Sequence, residues 1–327
     1  MAAKVGIIGA GRWGTTLAII LSQVGHQVTL LCLEAEVEQL ISQRESQNLP
    51  GFPIPEQVAI TCSGDCDDLD LVILALPGEV FLSAWECWRQ SISPKTIVVN
   101  VAKMIDCHEG TLVLPSNIID TDRFRFVHFV SAAFPQGLLR GSPTIGTAYS
   151  NDESSAKRVV NLFRGTLIRP YHSRDVNGGQ IGSAVKNTIA IASGIAKGLG
   201  FDETTRMAIA SRGLKEMRDF ACHHLSHHET FGAGTTIMTD LGATCFSPYS
   251  HNLQFGQALA TRAAKQARAT VQGTVEGIQT TLALAQVCHD FGETMPISYA
   301  VWSIMTGKDT PIEARKKIMA RPIKYEG

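Results

Sequence analysis

Two different hydrophobic patterns divide the chain. Up to about Tyr171, short runs of β-branched and aliphatic residues alternate with segments of helical period, and such alternation predicts a parallel sheet covered by helices. From about Asn177 onward, long alanine-rich segments of helical period follow without a convincing strand. We therefore expect an α/β domain over residues 1–176 and an all-α domain over residues 177–327. The predicted strands cover residues 5–8, 26–33, 71–76, 96–101, 126–130, 144–149 and 166–169, and the long helices cover 178–199, 203–224 and 275–291.

The first predicted strand leads directly into a glycine-rich turn with the sequence GAGRWG, and a helical segment follows it. In this context Gly9 permits the tight bend, Gly11 lets a pyrophosphate approach the backbone, and Gly14 lets the helix pack closely on the strand. The backbone N–H groups at the start of the helix are then available to bind phosphate. This strand–turn–helix order predicts a Rossmann-type dinucleotide-binding domain, and the alternative is a glycine-rich turn with a structural role alone.

The acid that ends the second predicted strand bears on the choice of cofactor. Glu34 lies at the spacing from the last glycine where a carboxylate binds the ribose hydroxyls of the adenosine. A carboxylate there would repel the additional phosphate of NADP, and no Lys or Arg follows until Arg44, so we expect NAD. The alternative is an exposed acid at the positive end of a helix over residues 34–43.

Length and charge narrow the class of protein. A chain of 327 residues is longer than one hydrophobic core usually serves, which agrees with two domains. With 29 basic and 30 acidic side chains, no global field attracts nucleic acid or an anionic membrane. The first strand begins within a few residues of Met1, without a signal-peptide pattern or a membrane-spanning apolar run. We expect a soluble cytoplasmic enzyme that acts on a small molecule and inserts into no membrane.

The cysteines and histidines give no clear metal site. His224 and His228 are four residues apart and would share one face of a helix, but no third ligand accompanies them in a known pattern. We therefore interpret the cluster of His223, His224, His227 and His228 as a solvated helix end and expect no metal. The eight cysteines lack the spacing of a zinc ribbon or a disulfide scaffold, at positions 32, 62, 66, 87, 107, 222, 245 and 288.

Two ionisable residues stand alone in apolar surroundings. Lys186 is the only charged residue between positions 181 and 196, and Asp240 is the only formally charged residue between positions 230 and 261. Burial of an unpaired ammonium is very costly, so we predict that the two side chains meet. The pair is either structural or a lysine poised for proton transfer beside a nicotinamide, with Asp240 orienting it. A substrate is expected in the cleft between the two domains.

The chain resembles the NAD(P)-dependent glycerol-3-phosphate dehydrogenases over nearly its whole length. The motifs that carry this resemblance occur in order: GAGRWGTTLA, VAKMID, SAVKNTIAIASGIAKGLG, SRGLKEM, TDLGATCFSP, VEGIQT and MPISYAVW. The resemblance implies interconversion of dihydroxyacetone phosphate and sn-glycerol 3-phosphate, which is the entry to glycerolipid synthesis. It also implies a Rossmann domain, a helical domain and commonly a dimer.

The same motifs imply roles for individual residues. Lys186 resembles the family's general acid/base, and Lys103 resembles a second lysine that polarises the substrate beside the nicotinamide. Lys103 could instead be a solvated loop residue, and Trp13 could be ordinary core packing. The implied substrate contacts are Lys103, Lys186, Asn187, Asp240, Thr244, Ser250, His251 and Asn252, with Lys186, Lys103 and Asp240 catalytic. The implied cofactor contacts are Gly9, Gly11, Arg12, Trp13, Gly14, Glu34, Lys103 and Glu276.

Three departures from the family pattern leave alternatives open. His251 stands where the family has a phosphate-binding arginine, although Arg206 or Arg212 could replace it. The GPSFA-type loop becomes SAAFP at positions 131–135, and Met104 replaces the glycine after the site lysine. These changes favour altered phosphate binding, a related dehydrogenase for another carbonyl or imino substrate such as a 2-oxo acid, or a nucleotide-binding protein without turnover.

Overall fold

The computed structural model describes residues 2–323 apart from positions 65, 67, 233 and 289. The chain divides into two compact units. Unit 1 comprises Met1–Lys103 and Leu114–Gln180, and unit 2 comprises Met104–Val113 and Ile181–Gly327. The long helix that begins at Val176 therefore starts in unit 1 and continues in unit 2.

Unit 1 is built on an eight-stranded sheet with the order β10-β9-β8-β5-β4-β1-β2-β3. The central strands are almost completely buried, because helices cover an α/β sheet of this type on its faces. The strands of the described residues are β1 (Lys4–Ile8), β2 (Gln27–Leu31), β3 (Ala59–Thr61), β4 (Leu71–Leu74), β5 (Ile97–Asn100), β6 (Asp106–His108), β7 (Thr111–Val113), β8 (Arg125–Ser131), β9 (Thr144–Tyr149) and β10 (Ile168–Ser173).

The sheet is mixed, so the prediction of a parallel sheet was wrong at one pairing. β8 and β9 pair antiparallel, whereas β10 pairs parallel with β9, and both outer strands therefore run against the rest. The connection between β8 and β9 covers residues 132–143 and contains one short helix. The strand order β8-β5-β4-β1-β2-β3 of the parallel part keeps the ends of β1, β2 and β4 at one edge, where the glycine-rich turn lies.

Within the described residues of unit 2, the regular structure is helical except for one hairpin. The helices of the described residues are α1 (Arg12–Gln23), α2 (Glu34–Gln43), α3 (Gly78–Trp88), α4 (Pro115–Ile118), α5 (Pro135–Leu139), α6 (Glu153–Leu162), α7 (Val176–Gly198), α8 (Glu203–His223), α9 (Thr235–Phe246), α10 (His251–Leu259), α11 (Ala264–Ala269), α12 (Glu276–Val287), α13 (Phe291–Thr294), α14 (Pro296–Met305) and α15 (Pro311–Met319). Those from α8 onward lie in unit 2 with most of α7. Apolar side chains of α7, α10 and α14 form a shared core there, and Ile278 of α12 packs against it.

The hairpin of unit 2 is a feature that the sequence did not predict. β6 and β7 pair antiparallel through a two-residue turn, in which Glu109 and Gly110 have φ of 50° and 77°. Positive φ at both turn residues matches the twist of a two-residue hairpin. Both strands contact α12, so this short segment, which directly follows Lys103, groups with the helices. Among the described residues, no helix is long and apolar enough to cross a membrane.

Candidate functional site

The glycine-rich turn excludes side chains at two of its glycines and leaves open space at the third. Gly9 has φ of +111°, and a Cβ there would lie 2.5 Å from the carbonyl oxygen of Ala75. A Cβ on Gly14 would lie 1.9 Å from the carbonyl oxygen of Gly9, so close packing of α1 on the turn excludes any side chain. A Cβ on Gly11 would meet nothing within 4 Å, which leaves open space beside the start of α1. Gly11 is the N-cap of α1, and because it is a glycine, no capping side chain bonds to the free N–H groups at this helix N-terminus.

Glu34, Arg12 and Trp13 are the other candidate cofactor contacts near this turn, and they differ in exposure and in contacts. Glu34 is exposed and is the first residue of α2, and Cys32 and Leu33 separate it from the end of β2. This position suits both the ribose contact and the helix-end alternative. The Nε of Arg12 donates to the carbonyl oxygen of Asn48 at 3.0 Å. Trp13 is half-buried and packs against the core of unit 1, which supports a packing role for its ring.

Lys103 follows a backbone segment that two buried polar side chains hold in place. Asn100 brackets Ala102: its Nδ2 donates to the Ala102 carbonyl at 3.1 Å, and its Oδ1 accepts the Ala102 N–H at 3.0 Å. The same Nδ2 donates to Nδ1 of His128 at 2.9 Å. Burial, and secondly the charge of Lys103, lower the pKa of His128 to about 3, so its ring is neutral and can accept. The Nζ of Lys103 donates to the carbonyl oxygen of Ser131 at 3.4 Å.

Asn100 and His128 are residues that the sequence reasoning missed. They are direct partners in the β5–β8 register, and both are fully buried. The available signal was an amide and an imidazole inside otherwise apolar strands, because buried polar groups need partners. Their hydrogen bonds order the segment that ends in Lys103.

Lys186 and Asp240 meet, as predicted. The Nζ of Lys186 lies 3.3 Å from Oδ1 of Asp240, and the two residues are 4% and 3% exposed. Nζ also donates to Oγ1 of Thr244 at 2.6 Å and to Oδ1 of Asn187 at 3.2 Å. The Thr244 hydroxyl in turn donates to the Asp240 carbonyl oxygen at 2.6 Å, one helical turn earlier in α9. Helices α7 and α9 thus place three hydrogen-bond acceptors around one buried ammonium.

A chain of amides extends this network through unit 2. The Nδ2 of Asn187 donates to Oε2 of Glu276 at 3.1 Å, and Nδ2 of Asn252 donates to Oδ1 of Asn187 at 3.1 Å. Oδ1 of Asn252 accepts the N–H of Gly277 at 2.9 Å. The structure therefore brings Lys186, Asn187, Asp240, Thr244, Asn252 and Glu276 into one connected network. Glu276, which the sequence suggested as a cofactor contact, is hydrogen-bonded to the Asn187 side chain.

The candidate phosphate residues lie at the start of α10. Ser250 is the N-cap, and its Oγ accepts the N–H of Leu253 at 3.2 Å. His251 is the first helical residue, and its Nδ1 donates to the carbonyl oxygen of Thr274 at 3.1 Å, which orients the ring. A Cβ on Gly273 would lie 2.5 Å from the His251 ring, so this neighbour must be small. The contact with Thr274 and the close approach of Gly273 therefore restrict the orientation of the His251 ring.

Arg206, a suggested replacement for that arginine, is already engaged. It is buried, and its guanidinium donates to the Cys245 carbonyl oxygen at 2.7 Å and to Oγ of Ser193 at 3.2 Å. It also pairs with Glu203 at 3.3 Å and lies 4.6 Å from the ring centre of Phe246. These contacts tie α7, α8 and α9 together, and a phosphate contact would require breaking them.

The histidine cluster does not share one helical face, and that assumption was wrong. Helix α8 ends at His223, and Leu225 follows with a left-handed φ of 62°. His228 belongs to a separate single turn of 3-10 helix. A left-handed residue breaks the helical register, so the four-residue spacing no longer aligns His224 with His228. Over the described part of the chain, no group of three His, Cys, Asp or Glu residues is arranged to hold a metal ion.

Comparisons with known proteins find similarity along nearly the whole chain. Residues 4–155 match the model of the NAD-dependent glycerol-3-phosphate dehydrogenase N-terminus, and residues 175–316 match the model of the C-terminus. A glycerol-3-phosphate dehydrogenase (NAD(P)+) of Leptospira biflexa is 31% identical, with 99% of each chain covered. One from Corynebacterium glutamicum is 32% identical, with 92% of this chain and 93% of the relative covered.

A solved structure extends the similarity to three dimensions. The glycerol-3-phosphate dehydrogenase of Coxiella burnetii superimposes with a TM-score of 0.88 at 25% identity, covering 98% of this chain and 99% of that chain. Because the similarity covers nearly the whole chain, it is not confined to the dinucleotide-binding fold. The chain belongs to the NAD-dependent glycerol-3-phosphate dehydrogenase family.

Proposed function

We propose that this protein interconverts dihydroxyacetone phosphate and sn-glycerol 3-phosphate with a nicotinamide dinucleotide as the redox partner. The observation that carries the proposal is the Lys186–Asp240 ion pair, buried with Thr244 and Asn187 in a chain of this family. A buried cation surrounded by acceptors suits a group that must remain protonated until it donates its proton.

The turn over residues 9–14 fits the pyrophosphate of the dinucleotide. Side chains are excluded at Gly9 and Gly14, while the space beside Gly11 is open at the start of α1. Backbone N–H groups and the positive end of α1 would hold the phosphates there. When bound in its reduced form, the dinucleotide supplies the hydride for the substrate carbonyl carbon.

Lys186 supplies the proton in this proposal. As electron density moves to the carbonyl oxygen, the ammonium donates a proton to it, and the alcohol and a neutral amine result. The negative charge of Asp240 stabilises the ammonium before the transfer and favours its reprotonation afterwards. Asn187 and Thr244 hold Nζ in position, so its direction is set before substrate binds. Lys103, on its ordered segment, would polarise the substrate as a second cation.

The start of α10 is the proposed position of the substrate phosphate. The Ser250 hydroxyl, the His251 ring and the Asn252 amide lie consecutively at this helix N-terminus, which favours an anion. His251 replaces a permanently charged, bidentate guanidinium by a ring that lacks this planar bidentate geometry. Phosphate binding is therefore expected to be weaker.

We further propose NAD rather than NADP as the preferred cofactor. The support is the exposed carboxylate of Glu34 at the β2–α2 junction, which would accept hydrogen bonds from ribose hydroxyls and repel a 2′-phosphate. In this proposal the enzyme works in the cytoplasm as a homodimer and supplies glycerol 3-phosphate for glycerolipid synthesis.

The test is a substrate panel with the purified full chain. NADH oxidation is followed with dihydroxyacetone phosphate, with unphosphorylated dihydroxyacetone and with several 2-oxo acids. The proposal predicts turnover that depends on the phosphate group. Turnover of a 2-oxo acid without turnover of dihydroxyacetone phosphate would contradict it, and NADH binding without oxidation of any compound would indicate a non-catalytic protein.

A second candidate, a dehydrogenase for another small carbonyl or imino substrate, has one specific observation in its favour. His251 is oriented by the Thr274 carbonyl, and Arg206 is engaged elsewhere, so neither copies the family's arginine. The same panel separates the two candidates, because they differ in whether removal of the phosphate abolishes turnover.

A further inference from the structure

Two cysteines stand side by side where neighbouring strands of unit 1 end. Cys32 directly follows β2, and Cys62 directly follows β3. The parallel register pairs Leu31 with Thr61, and the N–H of Cys32 donates to the Thr61 carbonyl oxygen at 3.0 Å. The pairing therefore reaches the next position on each strand, where the two cysteines are opposite each other.

The register also places both thiols on one face of the sheet. Partners in a parallel pair point to the same side, and side chains alternate along each strand. Leu30 and Ile60 are partners that both pack in the core of unit 1, and Cys32 belongs to the same core cluster. Cys62 lies two residues after Ile60 and shares its side. Adjacent strands are about 4.8 Å apart, which falls within the Cα separation of about 4.4–6.8 Å that a disulfide requires.

The two thiols differ in a way that suits sequential oxidation. Cys32 is buried, and burial, followed by the nearby Glu36 and Cys62, raises its pKa to about 11. A thiol of high pKa reacts slowly with oxidants. Cys62 is half-buried and therefore reaches solvent. Of the two, Cys62 is the thiol that can react with a small oxidant, and Cys32 lies next to it.

We propose that Cys32 and Cys62 form a reversible disulfide that links the ends of β2 and β3 when the protein meets a peroxide. In the first step, the Cys62 sulfur takes one oxygen from the peroxide, forming a sulfenic acid and releasing water or an alcohol. In the second step, the Cys32 sulfur attacks the Cys62 sulfur, the S–O bond breaks, and a second water leaves with the Cys32 proton. Two thiols are oxidised, one peroxide is reduced, and a dithiol reverses the link.

The link would act on the residue proposed to bind ribose. Cys32, Leu33 and Glu34 are consecutive, so drawing Cys32 toward Cys62 moves the start of α2. Loss of a hydrogen bond from a ribose hydroxyl to the Glu34 carboxylate corresponds to about a tenfold weaker dinucleotide affinity. This consequence rests on the proposed dinucleotide function, whereas formation of the disulfide does not.

The experiment compares three full-length proteins: wild type, Cys62→Ser, and Cys87→Ser as a control at an exposed cysteine of α3. Each is treated with hydrogen peroxide, digested without reduction and measured by mass spectrometry, and its NADH affinity is measured by fluorescence. We expect a cross-linked Cys32–Cys62 peptide, two hydrogens lighter than the sum of its parts, in wild type and Cys87→Ser. We also expect about a tenfold rise in the NADH Kd of these two, reversed by dithiothreitol.

The outcomes separate this proposal from the proposed function. Absence of the cross-linked peptide, or the same loss of affinity in Cys62→Ser, would overturn the proposal. A cross-link without any change in the NADH Kd would overturn its effect on the cofactor. Reduced wild-type protein is assayed in parallel with NADH and dihydroxyacetone phosphate. If the reduced protein fails there, the proposed function fails, and the peptide masses still decide whether the disulfide forms.

Discussion

Replacement of Lys186 by methionine removes the ammonium and keeps an unbranched side chain of similar length. Asp240, which is 3% exposed, would then lose its counter-ion at 3.3 Å. Breaking a buried pair by removing one partner costs about 3–5 kcal/mol of folding stability, because a buried charge is left uncompensated. Loss of turnover in this single variant could therefore reflect a damaged fold.

The double variant Lys186→Met/Asp240→Asn separates the two effects. Asparagine has the size of aspartate without its charge, so most of the lost stability should return. The proton donor is still missing, and turnover should remain lower by a factor of about 10²–10⁴, which corresponds to about 3–5 kcal/mol in the activation free energy. NADH affinity should stay near the wild-type value in both variants, since neither Lys186 nor Asp240 is a proposed dinucleotide contact.

The assay measures steady-state NADH oxidation, NADH affinity and thermal unfolding for each protein. Lys197→Met is the matched control, because Lys197 is an exposed lysine in the last turn of the same helix α7. Exposed substitutions usually change stability by no more than about 0.5 kcal/mol, so its turnover should match wild type. Near-normal turnover of the double variant would remove Lys186 from the mechanism. Turnover that recovers together with stability would show that the ion pair is structural.

Three further predictions concern phosphate, cofactor and pH. His251→Arg should lower the KM for dihydroxyacetone phosphate, because a charge-assisted pair replaces a weaker contact, and an unchanged KM would place the ring away from the phosphate. Glu34→Ala should weaken the preference for NADH over NADPH, and an unchanged ratio of kcat/KM values would mean that the ribose is recognised elsewhere. Burial raises the pKa of Glu216 from 4.5 to about 7, so the folded state holds its proton longer than the unfolded state and loses stability as pH rises through this window. The free energies of unfolding of wild type and Glu216→Gln are measured by denaturation at these two pH values. From the lower to the higher pH, the wild type should lose about 3 kcal/mol of stability relative to the variant, and a constant difference would contradict the raised pKa.

Much of the candidate site could be predicted from local sequence. The glycine-rich turn is only partly a short-range feature. A Cβ on Gly14 would meet the Gly9 carbonyl of the same turn, whereas the atom that excludes a Cβ at Gly9 belongs to Ala75, which directly follows β4. The Lys186–Asp240 pair was predictable from isolation alone, since a buried charge requires an opposite charge and the sequence offered one candidate in each apolar stretch. The long helices α7 and α8 followed from their period.

Other features depend on which segments meet in space. The reversed direction of β9, the association of the β6–β7 hairpin with α12 and the end of α8 at His223 all involve contacts or turns that periodicity does not encode. The register that places Cys32 opposite Cys62, and the hydrogen bonds of Asn100 with His128, likewise join residues about 30 positions apart.

By itself, the sequence determined the classes of element, the dinucleotide turn and the charges that had to pair, because these follow from sterics and desolvation at each position. Only the tertiary structure decided which acceptors surround Lys186 and which partner each buried amide takes. Asn187, Asn252 and Glu276 lie on three different helices, and many pairings of such groups satisfy the same hydrogen-bonding needs. Helix packing selected one of them.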